Sequence, residues 1–221
     1  PVIALVGYTN AGKSTWFNRL TDSRVLEEDK LFATLETTTR KATLPSGREV
    51  LFTDTVGFIH KLPHHLVDAF RATLEEVRYA DILLHVVDAS DEKASMEMKV
   101  TMDAMEELGA GDKPVLQLMN KQDQLQEMQR VTIFPQKGYQ QLKVSAFREE
   151  DWHRVLSALD QILDEREVEY LVCIPYTEGR FVSLLRQNGK VLEEEYREEG
   201  TYMRVRTSKQ YQNMVKVYLQ S

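Results

Sequence analysis

The run Gly7-Tyr8-Thr9-Asn10-Ala11-Gly12-Lys13-Ser14 sets a glycine, four residues and then Gly-Lys-Ser. That spacing suits the holding of phosphates. Glycines let backbone N–H groups wrap the phosphate oxygens, the lysine neutralises charge on the β- and γ-phosphates, and the serine hydroxyl can bind Mg²⁺. The run follows a β-type pattern at residues 2–6 and opens a helical one, as the mechanism requires, with Thr15 next in the cradle.

Two further segments follow in a telling order. Asp54-Thr55-Val56-Gly57 comes directly after a strand pattern at residues 50–53. An aspartate there can hold Mg²⁺, and the Gly57 N–H can meet a γ-phosphate. Taken alone the tetrapeptide is ordinary turn chemistry; its place after the phosphate loop gives it weight. Asn120-Lys121-Gln122-Asp123 follows another strand pattern, at residues 115–119. The Asp123 carboxylate can accept two hydrogen bonds from N1 and the 2-amino group of guanine. Adenine lacks that donor pair and would leave the carboxylate unpaired. Ser145-Ala146, with Phe147 beyond, follows a strand pattern at residues 142–144 and could close over the base through backbone N–H groups. The ordered set points to GTP and GDP rather than ATP.

The elements that must position these residues alternate. Strand patterns at 2–6, 41–44, 50–53, 82–87, 115–119 and 142–144 interleave with helical ones at 13–20, 66–79, 94–108 and 150–164. Pro45-Ser46-Gly47 reads as a hairpin turn. The expected fold is α/β, a mostly parallel sheet covered on both faces by helices, with the hairpin adding an antiparallel edge. Met98, Met102 and Met105 recur at helical spacing, suited either to a recognition surface or, as favoured here, to a core-facing stripe. A charged stretch at 164–167 ends this pattern. Beyond it come a strand at 168–174, a helix at 178–186, a strand pair at 191–196 and 202–205, and a final helix at 209–219. The expected organisation is therefore a nucleotide domain over 1–167 and a small α+β domain of βαββα order over 168–221.

Composition narrows the function classes. Of 221 residues, 42% are hydrophobic and 29% charged, enough apolar material for a packed core and too much for a largely disordered chain. No apolar run approaches the roughly 20 residues that cross a bilayer. One cysteine, Cys173, leaves no internal disulfide or cysteine-built zinc site and fits a reducing, cytoplasmic setting. The net charge of −7 divides into +2 over 170–221 and −9 before it, so the first region is no basic clamp and no DNA partner is expected. The chain opens at Pro1 straight into a strand pattern, without a signal peptide. The expectation is a fragment whose preceding part carries functions of its own.

With these motifs established, residues 1 to about 165 look like a translation-factor-type GTPase domain. Leu31-Phe32-Ala33-Thr34-Leu35 and Gly57-Phe58-Ile59-His60-Lys61-Leu62-Pro63-His64 resemble the bacterial HflX family specifically, and Ile174-Pro175-Tyr176 with the small domain resembles that family's C-terminal domain. By that resemblance, the family's N-terminal domain is expected to belong to the part that precedes this stretch. The resemblance implies that Phe32, Ala33, Thr34, Leu35 and Glu36 form a switch segment in which Thr34 binds Mg²⁺ and senses the γ-phosphate, though Thr37, Thr38 and Thr39 compete for that role on sequence alone. Lys13, Thr34 and Gly57 would then be the catalytic contacts, and Ser14, Thr34 and Asp54 the metal ligands. Phe58 stands where many small GTPases carry a water-orienting glutamine, and a phenyl ring cannot replace it. Slow intrinsic hydrolysis is expected, assisted by a partner, a cation or another residue; the plainer reading of Phe58 is a hydrophobic anchor for its loop. Asn10 lies where related GTPases hold K⁺, so K⁺ stimulation is an expectation beside a plain loop-stabilising role. The implied partner is the ribosome, chiefly its large subunit, in splitting or rescue of stalled or stressed ribosomes. The rivals are a GTPase switch in RNA maturation or ribosome assembly and a non-hydrolysing, nucleotide-stabilised scaffold.

The remaining candidates read more plainly. His60, His64 and His65 lack ligand partners at a convincing spacing and suit an exposed loop. His85 reads as a core or edge residue, Cys173 as a small buried hydrophobe and Trp16 as packing. Arg180, Arg186, Arg204 and Arg206 could meet rRNA or ribosomal protein, but Glu193-Glu194-Glu195 and Glu198-Glu199 lie among them, and a solvated charged face is at least as good a reading.

Overall fold

A computed structural model of the chain describes residues 1–21, 38–55, 77–125, 139–208 and 211–219. They fall into two units, Pro1–Asp160 and Gln161–Ser221. The first holds a six-stranded sheet of order β2-β3-β1-β4-β5-β6, built from β1 (Val2–Val6), β2 (Thr38–Thr43), β3 (Glu49–Asp54), β4 (Ile82–Asp88), β5 (Val115–Asn120) and β6 (Gln140–Lys143). Every neighbouring pair is parallel except β2 with β3. This is the mostly parallel α/β sheet with an antiparallel hairpin edge that the sequence predicts.

Burial explains the patterning. β1, β4 and β5 lie inside the sheet with nearly every residue buried, which is why they read as unbroken apolar runs. Edge strand β2 is mostly solvent-facing and carries Thr, Arg and Lys. The hairpin between β2 and β3 closes through Leu44 N–H to the Arg48 carbonyl at 2.8 Å and Gly47 N–H to the Leu44 carbonyl at 2.9 Å. Asp160 clamps its tip, accepting from the Ser46 N–H at 2.8 Å and the Ser46 hydroxyl at 2.7 Å.

Helix α1 (Lys13–Thr21) packs against β1 and β3 and buries Trp16 and Phe17 completely. Helix α2 (Ala94–Glu107) sets Met98, Met102 and Met105 into a core with Ala4, Val6, Leu83, Val87, Val115 and Met119. The methionine stripe thus faces the core. Helix α3 (Glu149–Glu165) begins just after β6 and opens with three acidic residues in its first turn, where the helix dipole favours negative charge. The expected helix over 66–79 lies outside the described residues up to 76, and 77–79 are helical.

The second unit holds an antiparallel sheet of order β7-β9-β8, from β7 (Glu167–Ile174), β8 (Gly189–Arg197) and β9 (Gly200–Ser208), with helix α4 (Gly179–Asn188) between β7 and β8. Tyr170, Val172, Ile174, Met203 and Val205 meet Phe181, Val182 and Leu185 of α4, together with Val215. Alternate strand residues form a charged outer face, which makes β8 and β9 longer than their apolar stretches suggest. Cys173 is only half-buried, a correction to its reading as a buried hydrophobe, because it alternates with the inward Val172 and Ile174.

The final helix also differs from expectation. Residues 209–210 lie outside the described ones, and instead of one helix through 219 there is a single α-turn at Gln212–Val215 and a 3₁₀ turn at Lys216–Tyr218. Leu219 then turns extended and bridges Val172. Pairing with the open edge of β7 offers its backbone partners that helix continuation would forgo. Among the described residues no helix is long and apolar enough to cross a membrane.

Candidate functional site

β1 lies between β3 on one side and β4 on the other, so the chain changes direction at its carboxyl end, the place where open α/β sheets bind ligands. The loop from Gly7 to Gly12 leaves β1 there and enters α1. Close approach fixes its glycines: a Cβ on Gly7 would stand 2.3 Å from the Val86 carbonyl oxygen, and one on Gly12 would stand 2.4 Å from the Asn120 side-chain nitrogen. Asn10 sits exposed with φ of 61°, a left-handed conformation that asparagine tolerates well. Tyr8 is partly buried against the α2 core, and Ala11 is buried.

Lys13, the first residue of α1, is almost wholly buried and donates from Nζ to the Tyr8 carbonyl at 2.9 Å. Burial lowers its pKa to about 8, and the negative charge of Asp54 offsets part of that. Nζ spans the loop from within, where a polyphosphate would give it a fuller counter-charge. Ser14 donates from its hydroxyl to Asp54 Oδ2 at 2.8 Å. Asp54 ends β3 and is fully buried. A hydroxyl and a carboxylate held together are hard oxygen donors, the chemistry that Mg²⁺ prefers. Thr55 pins the strand exit by donating to the Leu5 carbonyl at 2.5 Å.

The other end of the site is built from β5, β6 and the start of α3. Asn120, the last residue of β5, is buried; its Nδ2 donates to the Ala11 carbonyl at 2.9 Å, and its Oδ1 accepts from the Ala146 N–H at 3.3 Å. One side chain therefore ties the phosphate loop to the 145–147 loop. Lys121, with φ of 61°, pairs with Asp88 at 2.6 Å. Asp123 accepts from the Ser145 hydroxyl at 2.5 Å, and Phe147 is largely exposed beside them. The structure thus brings Gly7, Gly12, Lys13, Ser14, Asp54, Asn120, Asp123, Ser145 and Ala146 to the carboxyl ends of β1, β3, β5 and β6. Thr9 and Thr15 lie in the loop and the first turn of α1. Phe32, Ala33, Thr34, Leu35, Glu36, Val56, Gly57 and Phe58 lie outside the described residues, as do His60, His64 and His65.

Other residues of this region escaped the sequence reading. Asp151 accepts the Ser145 N–H at 2.8 Å, and Trp152 donates its indole N–H to the Ala146 carbonyl at 2.7 Å. The acidic first turn of α3 was the available signal for Asp151; nothing local marks Trp152. Inside the sheet, Gln141 donates to Gln117 Oε1 at 2.8 Å, and Gln117 Nε2 lies 3.1 Å from His85 Nδ1. Burial, with the charge of Lys13 adding to it, lowers the His85 pKa to about 3, so the ring is neutral at physiological pH.

In the second unit, three of the four arginines singled out by sequence are paired with carboxylates. Arg204 holds Glu169 at 2.6 Å and Glu193 at 3.0 Å, Arg206 holds Glu169 at 3.5 Å, and Arg186 pairs with Glu194.

Comparison with known proteins places this geometry in context. Residues 2–121 match the family model described as 50S ribosome-binding GTPase. The chain is 45% identical over 203 residues to GTPase HflX of Lacrimispora saccharolytica, covering 92% of this chain and 48% of that protein. It is 40% identical over 202 residues to GTPase HflX of Escherichia coli, covering 91% and 47%. The chain spans about half the length of the curated relatives it matches. A solved GTP-binding protein from Sulfolobus solfataricus in complex with GDP superimposes with a TM-score of 0.60 at 26% identity, over 73% of this chain and 52% of that one.

Proposed function

Because this chain belongs to the HflX family of P-loop GTPases, we propose that it binds GTP and hydrolyses it to GDP and phosphate as a switch that acts on the ribosome in the cytoplasm. One observation carries the nucleotide part: Asn120 bonds to both the 7–12 loop and the 145–147 loop, which supports reading the two as the phosphate and base ends of one site.

In this reading the backbone N–H groups of Gly7 to Lys13 wrap the phosphates, and Lys13 releases the Tyr8 carbonyl to meet the β- and γ-oxygens. Ser14, Asp54 and Thr34 hold Mg²⁺, which supplies positive charge to the phosphate oxygens when bound. Asp123 accepts N1–H and the 2-amino group of guanine, while Ser145, Ala146 and Phe147 close the base end. Thr34 and the Gly57 N–H sense the γ-phosphate, so hydrolysis releases both segments. Phe58 cannot orient water, and the chain relies on a partner, with K⁺ held at Asn10 as a second source of positive charge. Equal hydrolysis rates in K⁺ and Na⁺ at matched ionic strength would exclude the K⁺ role.

The ribosome part rests on the family. Its test is steady-state GTP hydrolysis with and without purified large ribosomal subunits, with Lys13→Ala as the blank. Strong stimulation is the expected result; an unchanged basal rate removes the ribosome assignment for this part of the protein. The base assignment has its own test. Asp123→Asn is expected to exchange a preference for GTP for one for xanthosine triphosphate, and a retained GTP preference rejects it.

A further inference from the structure

The 145–147 loop is short, yet side chains brace it from several directions. Asp151 and Trp152, in the first turn of α3, hold it from one side. Asp151 is buried and accepts the Ser145 N–H at 2.8 Å, while the Trp152 indole N–H donates to the Ala146 carbonyl at 2.7 Å. The peptide between Ala146 and Phe147 is therefore held at both ends, because its N–H, on Phe147, donates to the Ser145 hydroxyl oxygen at 3.2 Å. That hydroxyl in turn donates its proton to Asp123 Oδ1 at 2.5 Å. The bonds run in one direction, from indole N–H to peptide, from peptide N–H to hydroxyl, and from hydroxyl to carboxylate. Such chains polarise each member toward the next. Trp152 thus acts on Asp123 through two intermediaries, without touching the place a base would occupy.

The indole has a second neighbour. The Arg19 guanidinium lies 4.9 Å from the centroid of the Trp152 ring, within cation–π range. Arg19 stands in the last turn of α1, the helix whose first turn carries Lys13 and Ser14. Trp152 is therefore gripped by the phosphate-binding helix on its ring and grips the base-end loop with its nitrogen. Asn120 joins the same two regions beneath, so the phosphate and base ends are tied at two levels.

We propose that Trp152, held by Arg19, is a positioning residue for guanine recognition: it fixes the 146–147 peptide and through Ser145 aims the Asp123 carboxylate at the base. The inference rests on the reading of Asp123 as the guanine-binding carboxylate and deepens it. An indole is needed because a ring alone could stack under Arg19 but could not donate to the Ala146 carbonyl.

The test compares GDP with inosine diphosphate, which lacks the 2-amino group and so can use only one of the two Asp123 hydrogen bonds. Titration calorimetry gives both dissociation constants for the parent chain, Trp152→Phe and Arg19→Gln, with thermal melting to verify folding. Trp152→Phe keeps the ring and loses the donor. It is expected to weaken GDP about fivefold, the range of one hydrogen bond, and inosine diphosphate by less than about twofold, so that the preference shrinks. Arg19→Gln is expected to act in the same direction and less. A looser fold would weaken both ligands alike, so equal weakening overturns the proposal, as does no change in either. Should Trp152→Phe melt well below the parent, Arg19→Gln alone decides, by the same ratio. A parent chain that shows no preference for GDP fails earlier, at Asp123 itself, and takes the Trp152 role with it.

Discussion

Lys13, Asp54 and Asn120 of the first unit are almost wholly buried, whereas Arg186, Arg197, Arg204 and Arg206 of the second stand substantially in solvent. Both groups form hydrogen bonds, but with different kinds of partner. Lys13 and Asn120 donate to backbone carbonyls, of Tyr8 and Ala11, that belong to a ligand-sized loop. The arginines meet carboxylates instead: Arg204 of β9 spans Glu169 of β7 and Glu193 of β8, Arg186 of α4 reaches Glu194, and Arg197 pairs with Glu195 two residues before it on β8 while lying 3.7 Å from the Tyr202 ring centroid. Buried polar groups are expensive to desolvate, so a fold keeps them where a ligand repays their charge. Exposed pairs are nearly neutral in energy and keep a sheet face soluble. The first unit sets Lys13 and Asn120 against the backbone of one loop; the second sets these arginines against its own carboxylates.

The largest effect that separates the two units is on turnover. Lys13→Ala is expected to lower GTP turnover by at least about a hundredfold, the usual scale for removing a charge that stabilises a phosphoryl-transfer transition state. Phosphate release under multiple turnover measures it. A loss of less than tenfold would mean that the buried ammonium is structural, and the contrast between the units would lose its basis. Next comes stability. Gly7→Ala would press a methyl group to within 2.3 Å of the Val86 carbonyl oxygen, backbone that cannot swing away, and is expected to destabilise the first unit by about 2–3 kcal/mol in denaturant melts.

The Lys13 charge also predicts a pH dependence. In the nucleotide-free chain its pKa is lowered from 10.5 to about 8, so the folded state binds fewer protons than the unfolded one between those values. Its contribution to stability is therefore fully present above 10.5 and is lost as pH falls through about 8. Phosphate reverses the preference by favouring the ammonium. GDP binding at pH 8 is expected to take up about half a proton, read from calorimetry in buffers of different ionisation heat, and affinity should fall as pH rises above 8. Lys13→Met removes both the uptake and the stability slope. An unchanged uptake in that variant would assign the proton to another group.

How far the sequence foretold all this follows the same division. β1, β4 and β5 were legible because strands buried on both faces have to be apolar throughout. The residues at the carboxyl ends of β1, β3 and β5 stood out because a Gly-x4-Gly-Lys-Ser run, an Asp and an Asn-Lys-x-Asp run have few reasons to share that order. Asp151 and Trp152 lie only six residues from Ser145 and Ala146, and beyond the acidic helix start nothing in the types marks which backbone groups they meet; the His85–Gln117–Gln141 chain was not legible because only the folded sheet brings β4, β5 and β6 side by side. In the second unit, the readings at 191–196 and 202–205 fall inside β8 and β9 and miss their ends, where Gly189, Lys190 and Gly200 have weak intrinsic preference for strands and only the cross-strand register extends the pairing. The last helix, read over 209–219, was overextended because its pattern is helical in period, but Leu219 finds a backbone partner in Val172.

Asp160 tests the comparison at intermediate scale, because it is buried yet structural. It holds both the N–H and the hydroxyl of Ser46, and Asp160→Ala is expected to destabilise by about 1–3 kcal/mol while leaving the GDP dissociation constant within about twofold. A large loss of GDP affinity would show that burial alone does not distinguish the ligand-facing groups.

The smallest expected effect belongs to Arg204. It is paired on both sides, with Glu169 and Glu193, and every member of the trio is more than one-third exposed. Water screens such pairs, and the hydrogen bonds that hold the Glu169 carboxyl below the usual carboxylate range are the ones Arg204 and Arg206 donate. With Arg204 replaced by Gln, Arg206 still reaches Glu169 at 3.5 Å. The midpoint of thermal unfolding is therefore expected to move little, and less at high salt than at low, since ions screen what remains. Co-sedimentation with large ribosomal subunits is likewise expected to be unchanged, because an arginine already shared between two carboxylates has little charge to offer a phosphate backbone. A marked loss of sedimentation with melting intact would reverse the comparison: Arg204 would be exchanging internal carboxylates for an external anion, and the outer face of the β7-β9-β8 sheet, like the phosphate loop, would be holding charge in readiness for a partner.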